Sequence, residues 1–253
     1  MAADANPNPT PSAAALRGFF DGDVWHSFRS SPVAMAAAVI ALVCLCCALF
    51  ADVVAPHKPF DLATLELMDS LKPPAWVEGG EAKYLLGTDG QGRDILSALM
   101  YGTRISLLVG IASVLLSMLI GVGLGLLAGF VGGRVDAFVM RVCDVMLSFP
   151  SILVALMISG VGRSLFPQAP DALAFVVLVL AIALTGWVQY ARTVRGSTLV
   201  ERNKEYVQAA RVIGVGPLRI MGRHVLPNVL GPVLVLATIQ IASAIITDRK
   251  SVV

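Results

Sequence analysis

Charge is scarce in this chain. Asp, Glu, Lys and Arg make up 14% of its 253 residues against 57% hydrophobic, and the mean hydropathy is +0.79. That balance excludes an ordinary soluble domain and describes a membrane protein. The net charge of +2 is too small to argue for a nucleic-acid partner. His26, His57 and His224 are scattered, so no metal triad and no nucleophile–base pair is assembled. With no catalytic cluster, no cofactor and no enzymatic activity of the chain's own are expected. Of the four cysteines, Cys44, Cys46 and Cys47 share the first apolar run and Cys143 lies in a later one, which excludes a disulfide framework or a zinc spacing. The Gly-x-x-x-x-Gly-Lys-Ser/Thr pattern is also missing. Gly121, Gly123, Gly125 and Gly129 therefore read as points of close helix contact rather than as a phosphate loop.

What the chain does have is long apolar runs. Five are long enough to cross a bilayer core, which takes about 20 helical residues: roughly Val33–Ala55, Ile105–Phe130, Phe138–Gly160, Leu173–Tyr190 and Val229–Thr247. A Pro/Ala/Asn-rich leader from Met1 to about Thr10 is expected to be disordered, and Leu16–Phe28 to lie on the membrane surface as an amphipathic stretch. Ala48-Leu-Phe-Ala51 looks like a signal-peptide cleavage site, but the apolar core is too long and the leader too weakly basic. The first run is read as an uncleaved anchor.

Basic residues orient the spans. Arg192, Arg195, Arg202, Lys204, Arg211, Arg219 and Arg223 outnumber Glu201 and Glu205 in the loop after the fourth run, while Arg134 and Arg141 flank the link between the second and third. Both connections are expected in the cytoplasm. Alternation then places the N-terminus inside and the acidic segment Pro56–Arg104 outside. After Ile246, Thr247-Asp-Arg-Lys-Ser-Val-Val253 reads as a charged tail that does not continue the last helix.

Two polar regions look ordered. In the first, Gly87–Gly92 forms a tight turn with Thr88 or Asp89 as turn residue, and Asp94 enters a helix where its charge suits free N–H groups. Ile95, Leu96, Leu99 and Met100 then share a face, as an interfacial helix leading into the second span requires. In the second, a helix is expected from about Ser197 to Ile213, broken at Gly214-Val-Gly-Pro217, with a further short helix before His224-Val-Leu-Pro-Asn228. Within the third run, Arg141 and Asp144 are spaced to pair on one helix face, either as an ion pair that orients the helix or as part of a solute path. Gln189, Gln240, Ser148, Ser151, Ser159 and Ser243 serve either as path lining or as packing groups.

Four motifs occur in order: Leu86-Gly-Thr-Asp-Gly-Gln-Gly-Arg-Asp94, Tyr101-Gly-Thr-Arg-Ile-Ser-Leu107, Asp144-Val-Met-Leu-Ser-Phe-Pro150, and Glu205-Tyr-Val-Gln-Ala-Ala-Arg211 with Gly214 and His224–Asn228. With them the chain resembles an inner-membrane permease subunit of a bacterial binding-protein-dependent ABC transporter, of the dipeptide/oligopeptide/nickel branch, over about Arg29–Ile246. The resemblance implies an all-α polytopic transmembrane bundle of the type I ABC importer kind. Its expected parts are a cytoplasmic leader (1–31), a first transmembrane helix (32–55), a periplasmic segment with an interfacial helix (56–104) and a permease core (105–247). A coupling loop for a separate ATPase is implied at 191–228, its helical part within 197–228, carried by Glu205, Tyr206, Ala209, Ala210, Arg211, Gly214, Pro217 and Pro227. Ala209 and Ala210 would let a partner's groove approach closely, and Gly214 would act as C-cap or hinge. The implied partners are ABC ATPase subunits, a second, paralogous permease, a periplasmic substrate-binding protein and the lipid bilayer. Peptides, nickel and related solutes all stay open.

There are two departures from the pattern. Gln208 occupies the place where the wider superfamily has Glu before the Ala pair, the acid here being Glu205. The branch also implies a sixth helix, which the chain stops short of, so residues 248–253 read as an atypical tail foreign to the protein, at a truncated C-terminus. An ion-gradient-driven secondary transporter or channel is the alternative, opposed by the lack of deeply buried carboxylates other than Asp144.

Overall fold

The computed structural model describes residues 23–61, 67–165 and 171–251. The leader, and residues 16–22 of the expected amphipathic stretch, lie outside them. The chain divides into two units, 1–104 and 105–253, each treated separately below.

In the first unit, α1 (Asp23–Ser30) precedes α2 (Pro32–Leu49) and the short α3 (Ala51–Val54). Ser31 caps α2: its hydroxyl accepts from the Ala34 N–H at 3.3 Å, and Pro32 occupies the first turn, where a missing N–H costs nothing. α2 is apolar all round and buries Ala48 alone, as a helix solvated by lipid does. A loop-rich segment follows, organised around Asp69. Tyr84 donates to its carboxylate at 2.6 Å and Lys72 pairs with it at 2.6 Å. Thr88 donates to the Asp69 carbonyl and accepts from the Lys72 N–H at 2.9 Å. Lys72 and Tyr84 hold the Asp69 carboxyl down at about 2, and Lys72 rises above the ordinary lysine range.

The expected Gly87–Gly92 turn is present. The Asp89 carboxylate accepts from the N–H groups of Gln91 and Arg93, which makes Asp89 the turn residue. Gly87 has φ +80°, and a Cβ there would collide with the Lys72 carbonyl. Asp94 then caps the next helix, accepting from the Ser97 N–H at 3.1 Å. That helix, α4 (Ile95–Val131), has 37 residues and passes without a break into the second unit. At about 1.5 Å per residue it is some 55 Å long, well beyond a bilayer core of about 30 Å. A separate interfacial helix is therefore not formed: Ile95, Leu96, Leu99 and Met100 belong to the first turns of α4. Gly102, Thr103 and Arg104 lie between them and the span but do not interrupt the helix; the Thr103 hydroxyl turns back to the Leu99 carbonyl at 2.7 Å.

In the second unit, α4 continues from Ile105 and is followed by α5 (Gly133–Ser148), α6 (Ser151–Leu165), α7 (Asp171–Glu201), α8 (Glu205–Val212), α9 (Pro217–Ile220) and α10 (Leu226–Ser251). Gly121, Gly125 and Gly129 face α7 in a four-residue ladder. A Cβ on Gly125 would lie 2.5 Å from the Ala191 carbonyl, one on Gly129 2.7 Å from the Thr198 Cβ, and one on Gly121 would strike the Trp187 carbonyl. Helix backbones approach closely where side chains vanish. Gly123, with nothing within 4 Å of its Cβ position, is not part of this contact. Val139 and Cys143 of α5 complete the packing against Trp187, Val188 and Ala191 of α7.

Three sequence expectations need correction. Phe138–Gly160 is not one straight span: α5 and α6 meet at 92°, because Pro150 has no N–H to donate and drives Phe149 into extended backbone. Among the described residues, four helices are long and apolar enough to cross a membrane, and there are five spans if the bent pair counts as one. Asp144 pairs with Arg192 of α7 at 3.2 Å rather than with Arg141. Residues Thr247–Ser251 continue α10, since no Gly or Pro among them stops the helix.

Candidate functional site

The polar stretch between α7 and α10 is ordered, though not as one helix from Ser197 to Ile213. α7 ends at Glu201, and a turn over Arg202–Lys204 re-aims the chain before α8. Local side chains explain the break. Asn203 donates to the Leu199 carbonyl at 3.0 Å and Gln208 donates to the Asn203 carbonyl at 3.0 Å, so both compete with the helical ladder. Lys204 turns back to Glu201 at 2.6 Å. Glu205 opens α8 exposed, its charge matched to the free N–H groups of the first turn.

Tyr206 ties the two ends of the stretch together. Its hydroxyl donates to Glu201 at 2.5 Å and accepts from the Asn228 amide at 3.1 Å. Asn228 also donates to the His224 carbonyl at 2.7 Å. Partial burial, with the Glu201 carboxylate second, pushes the Tyr206 phenol up. Arg202 donates to the Gly129 carbonyl at 2.8 Å and Arg211 stacks over the Phe130 ring at 5.4 Å, so the end of α4 supports the stretch from beneath.

α8 ends in a Schellman motif. The Gly214 N–H donates to the Arg211 carbonyl and the Val215 N–H to the Ala210 carbonyl, both at 3.0 Å. Gly214 has φ +84° with no atom within 4 Å of its Cβ position, so glycine is needed there for its backbone and not for space. Pro217 starts α9 at the position where its ring is pre-set for a helix. Pro227 follows a π-helical turn, Met221–Val225. The wider turn relieves the clash between a proline ring and the carbonyl four residues back.

The alanine pair divides. Ala209 is exposed, as close approach requires, whereas Ala210 is 5% exposed and packs into the chain's own core beside Val215. The helical period separates them, because neighbouring residues on a helix lie about 100° apart. The outer surface instead offers Val212 (88% exposed), Ile213 (79%) and Leu218 (78%). The motif reading passed over these three. Their signal was present in the sequence as apolar residues inside an otherwise polar loop, Val212 off the face of buried Val207 and Ala210, and Ile213 and Leu218 on either side of the Gly214 break.

Fold and site together describe a polytopic α-helical membrane protein that presents a rigid, polar helix–turn–helix between two spans. The family model described as the binding-protein-dependent transport system inner membrane component matches residues 121–247, and that of the N-terminal TM domain of oligopeptide transport permease C matches residues 20–74. The chain is 41% identical over 226 residues to the di/tripeptide transport system permease protein DppC of Pseudomonas aeruginosa, covering 88% of this chain and 70% of that one. It is 43% identical to the dipeptide transport system permease protein DppC of Escherichia coli K12, covering 88% and 71%. With the oligopeptide transport system permease protein OppC of Bacillus subtilis it shares 34% identity, covering 89% and 68%. The chain belongs to the family of inner-membrane permease components of binding-protein-dependent transport systems. It is thus a multi-pass inner-membrane protein, and a permease subunit rather than an ion-gradient-driven secondary transporter or channel.

Proposed function

We propose that the chain is the non-catalytic translocation subunit of an ATP-driven importer for short peptides. Its solute comes from an external binding protein, and its motion from separate ATPase subunits that dock on residues 197–228. The observation that carries this reading is the outer surface of the loop. Val212, Ile213 and Leu218 stand exposed on a framework stiffened by Tyr206 and the Gly214 cap. Apolar side chains on a rigid polar platform are what a partner's groove buries. Ala209 leaves room for the groove wall, while Glu205, Arg211 and Pro217 frame the patch. Closure of two ATPase subunits around ATP would then draw such platforms together and rock the spans between inward-open and outward-open states.

The basic excess of residues 191–228 supports a cytoplasmic platform, an N-terminus on the same side and an outer segment at 56–104. Solutes named for the relatives support a short peptide as cargo. A second, paralogous permease completes the path. The test is co-purification in mild detergent with the ATPase subunits encoded in the same genome. The unsubstituted chain should capture them, and an Ile213→Asp, Leu218→Asp double variant should lose capture at least ~10-fold while staying monodisperse. Capture that survives the double substitution overturns the docking surface.

A further inference from the structure

A push on α8 has two covalent routes to the spans on either side of it, and they differ in stiffness. Toward α7 the link is short, the turn over Arg202–Lys204. Toward α10 it is long. Beyond the Gly214 cap that route passes Gly216 and Gly222, neither with an atom within 4 Å of its Cβ position, and the π-helical turn Met221–Val225. Glycine leaves its backbone angles little restrained, and π turns are common where helices must adjust, so the route is compliant. Val207 and Ala210 of α8 do share one apolar cluster with Ile220, Val225 and Val229. Such packing transmits compression, but it is non-directional and resists sliding less.

One polar group bypasses the compliant route. Tyr206, the second residue of α8, donates its hydroxyl to Glu201, the last residue of α7, at 2.5 Å. The same oxygen accepts from the amide of Asn228, the third residue of α10 and 22 positions along the chain, at 3.1 Å. The bonding is complete and directional. A phenol has one proton, which Glu201 receives, and the two amide hydrogens of Asn228 go to Tyr206 and to the His224 carbonyl at 2.7 Å. Glu201 is buried, and its other carboxylate oxygen is held by Lys204 at 2.6 Å. Removing the phenol therefore leaves a buried charged oxygen short of a donor, which makes this bond a strong one.

Resting on the importer reading, we propose that the Tyr206 hydroxyl is a transmission tie, a positioning group that makes α7 and α10 follow α8 together when the ATPase subunits close. The docking patch of Val212, Ile213 and Leu218 receives the displacement. Tyr206 delivers it to one span through Glu201 and to the other through Asn228. Without the hydroxyl, α10 lags along the glycine route, and ATP is hydrolysed while the spans move incompletely.

The test uses the complete complex, with its binding protein, in liposomes, and measures labelled dialanine taken up per ATP hydrolysed. That ratio separates transmission from assembly, because a variant that only weakens folding or docking lowers both quantities together and leaves their ratio where it was. Tyr206→Phe, which keeps the ring and its packing, should lower the ratio about tenfold, the effect of one hydrogen bond to a charged group. Asn228→Leu removes the donor on the α10 side and should lower it to a similar extent. The double variant should lose no more than either single one, since both break the same tie. An unchanged ratio in Tyr206→Phe or in Asn228→Leu means that apolar packing alone moves α10, and overturns the tie. Losses that multiply in the double variant show two independent contacts and overturn it as well. If the unsubstituted complex shows neither hydrolysis stimulated by the binding protein nor uptake, the importer reading fails and the tie with it, a result distinct from a changed ratio confined to the variants.

Discussion

Asp69 shows how one side chain organises a segment that has little apolar material of its own. Its carboxylate gathers Lys72 and Tyr84, its carbonyl takes Thr88, and the loop between residues 67 and 94 is thereby held at several points. Lys72 first, and Tyr84 second, lower the carboxyl to about 2 from an ordinary value of 3.8. A depressed folded-state pKa contributes stability that is present above the unfolded value and fades as pH falls toward the folded one. The loop should therefore be tightest at neutral pH and loosen between about pH 4 and pH 2. Hydrogen exchange at matched pH is the check: Asp69→Asn should accelerate exchange of the Lys72 and Thr88 amides at pH 7 and make no difference near pH 2. Equal acceleration at both pH values would show that geometry, not charge, holds the loop. Gly214 and Gly87 illustrate the other demand on single residues, a backbone in the left-handed region that glycine alone reaches cheaply.

Among the elements, the α4–α7 pair rests on absent side chains. The contact runs along Gly121, Gly125 and Gly129, and Ser117 adds a hydrogen bond to the Ala183 carbonyl at 3.2 Å. Gly125→Leu must push two backbones apart and should cost at least about 1–3 kcal/mol, the usual range for overpacking. Gly123→Leu has open space to fill and should be nearly neutral. Thermal unfolding of the two variants in detergent separates these outcomes; equal loss in both would mean that the ladder is not where the helices meet. The glycine spacing made this contact legible in the sequence, since the helical period puts Gly121, Gly125 and Gly129 on one face and Gly123 away from it, but not which helix the ladder meets, since that depends on the rotation of α4 about its axis. Pro150 was a sequence signal that the reading of Phe138–Gly160 as one span passed over, and the angle between α5 and α6 depends further on how α6 packs against α7.

For the whole molecule, the asymmetry of Lys and Arg predicts a topology that can be measured. With the four native cysteines replaced by serine, Glu78→Cys and Ala209→Cys place one thiol on each exposed polar region. In intact spheroplasts an impermeant thiol reagent should label residue 78, and it should reach residue 209 after permeabilisation. Labelling of residue 209 in intact spheroplasts would invert the topology and remove the loop at 197–228 from the reach of any ATPase.

Composition and periodicity alone determined that the chain spans a membrane, roughly where it does so, and where a structured polar loop interrupts the spans. These follow from local physics, because hydrocarbon tolerates little else than long apolar helices, and a Gly/Pro turn stops a helix wherever it occurs. The tertiary structure decided the partners. Asp144 reaches across to Arg192 although Arg141 is closer in sequence, because α5 turns Val139 and Cys143 inward and carries Asp144 to the side where α7 presents its arginine. The helical period separates Ala209 from Ala210, but that Ala210 is the one turned into the core, with Val215 packed against it, was decided by packing. Partner choice is a matter of rotation and crossing between helices, and those depend on every contact along the interface at once.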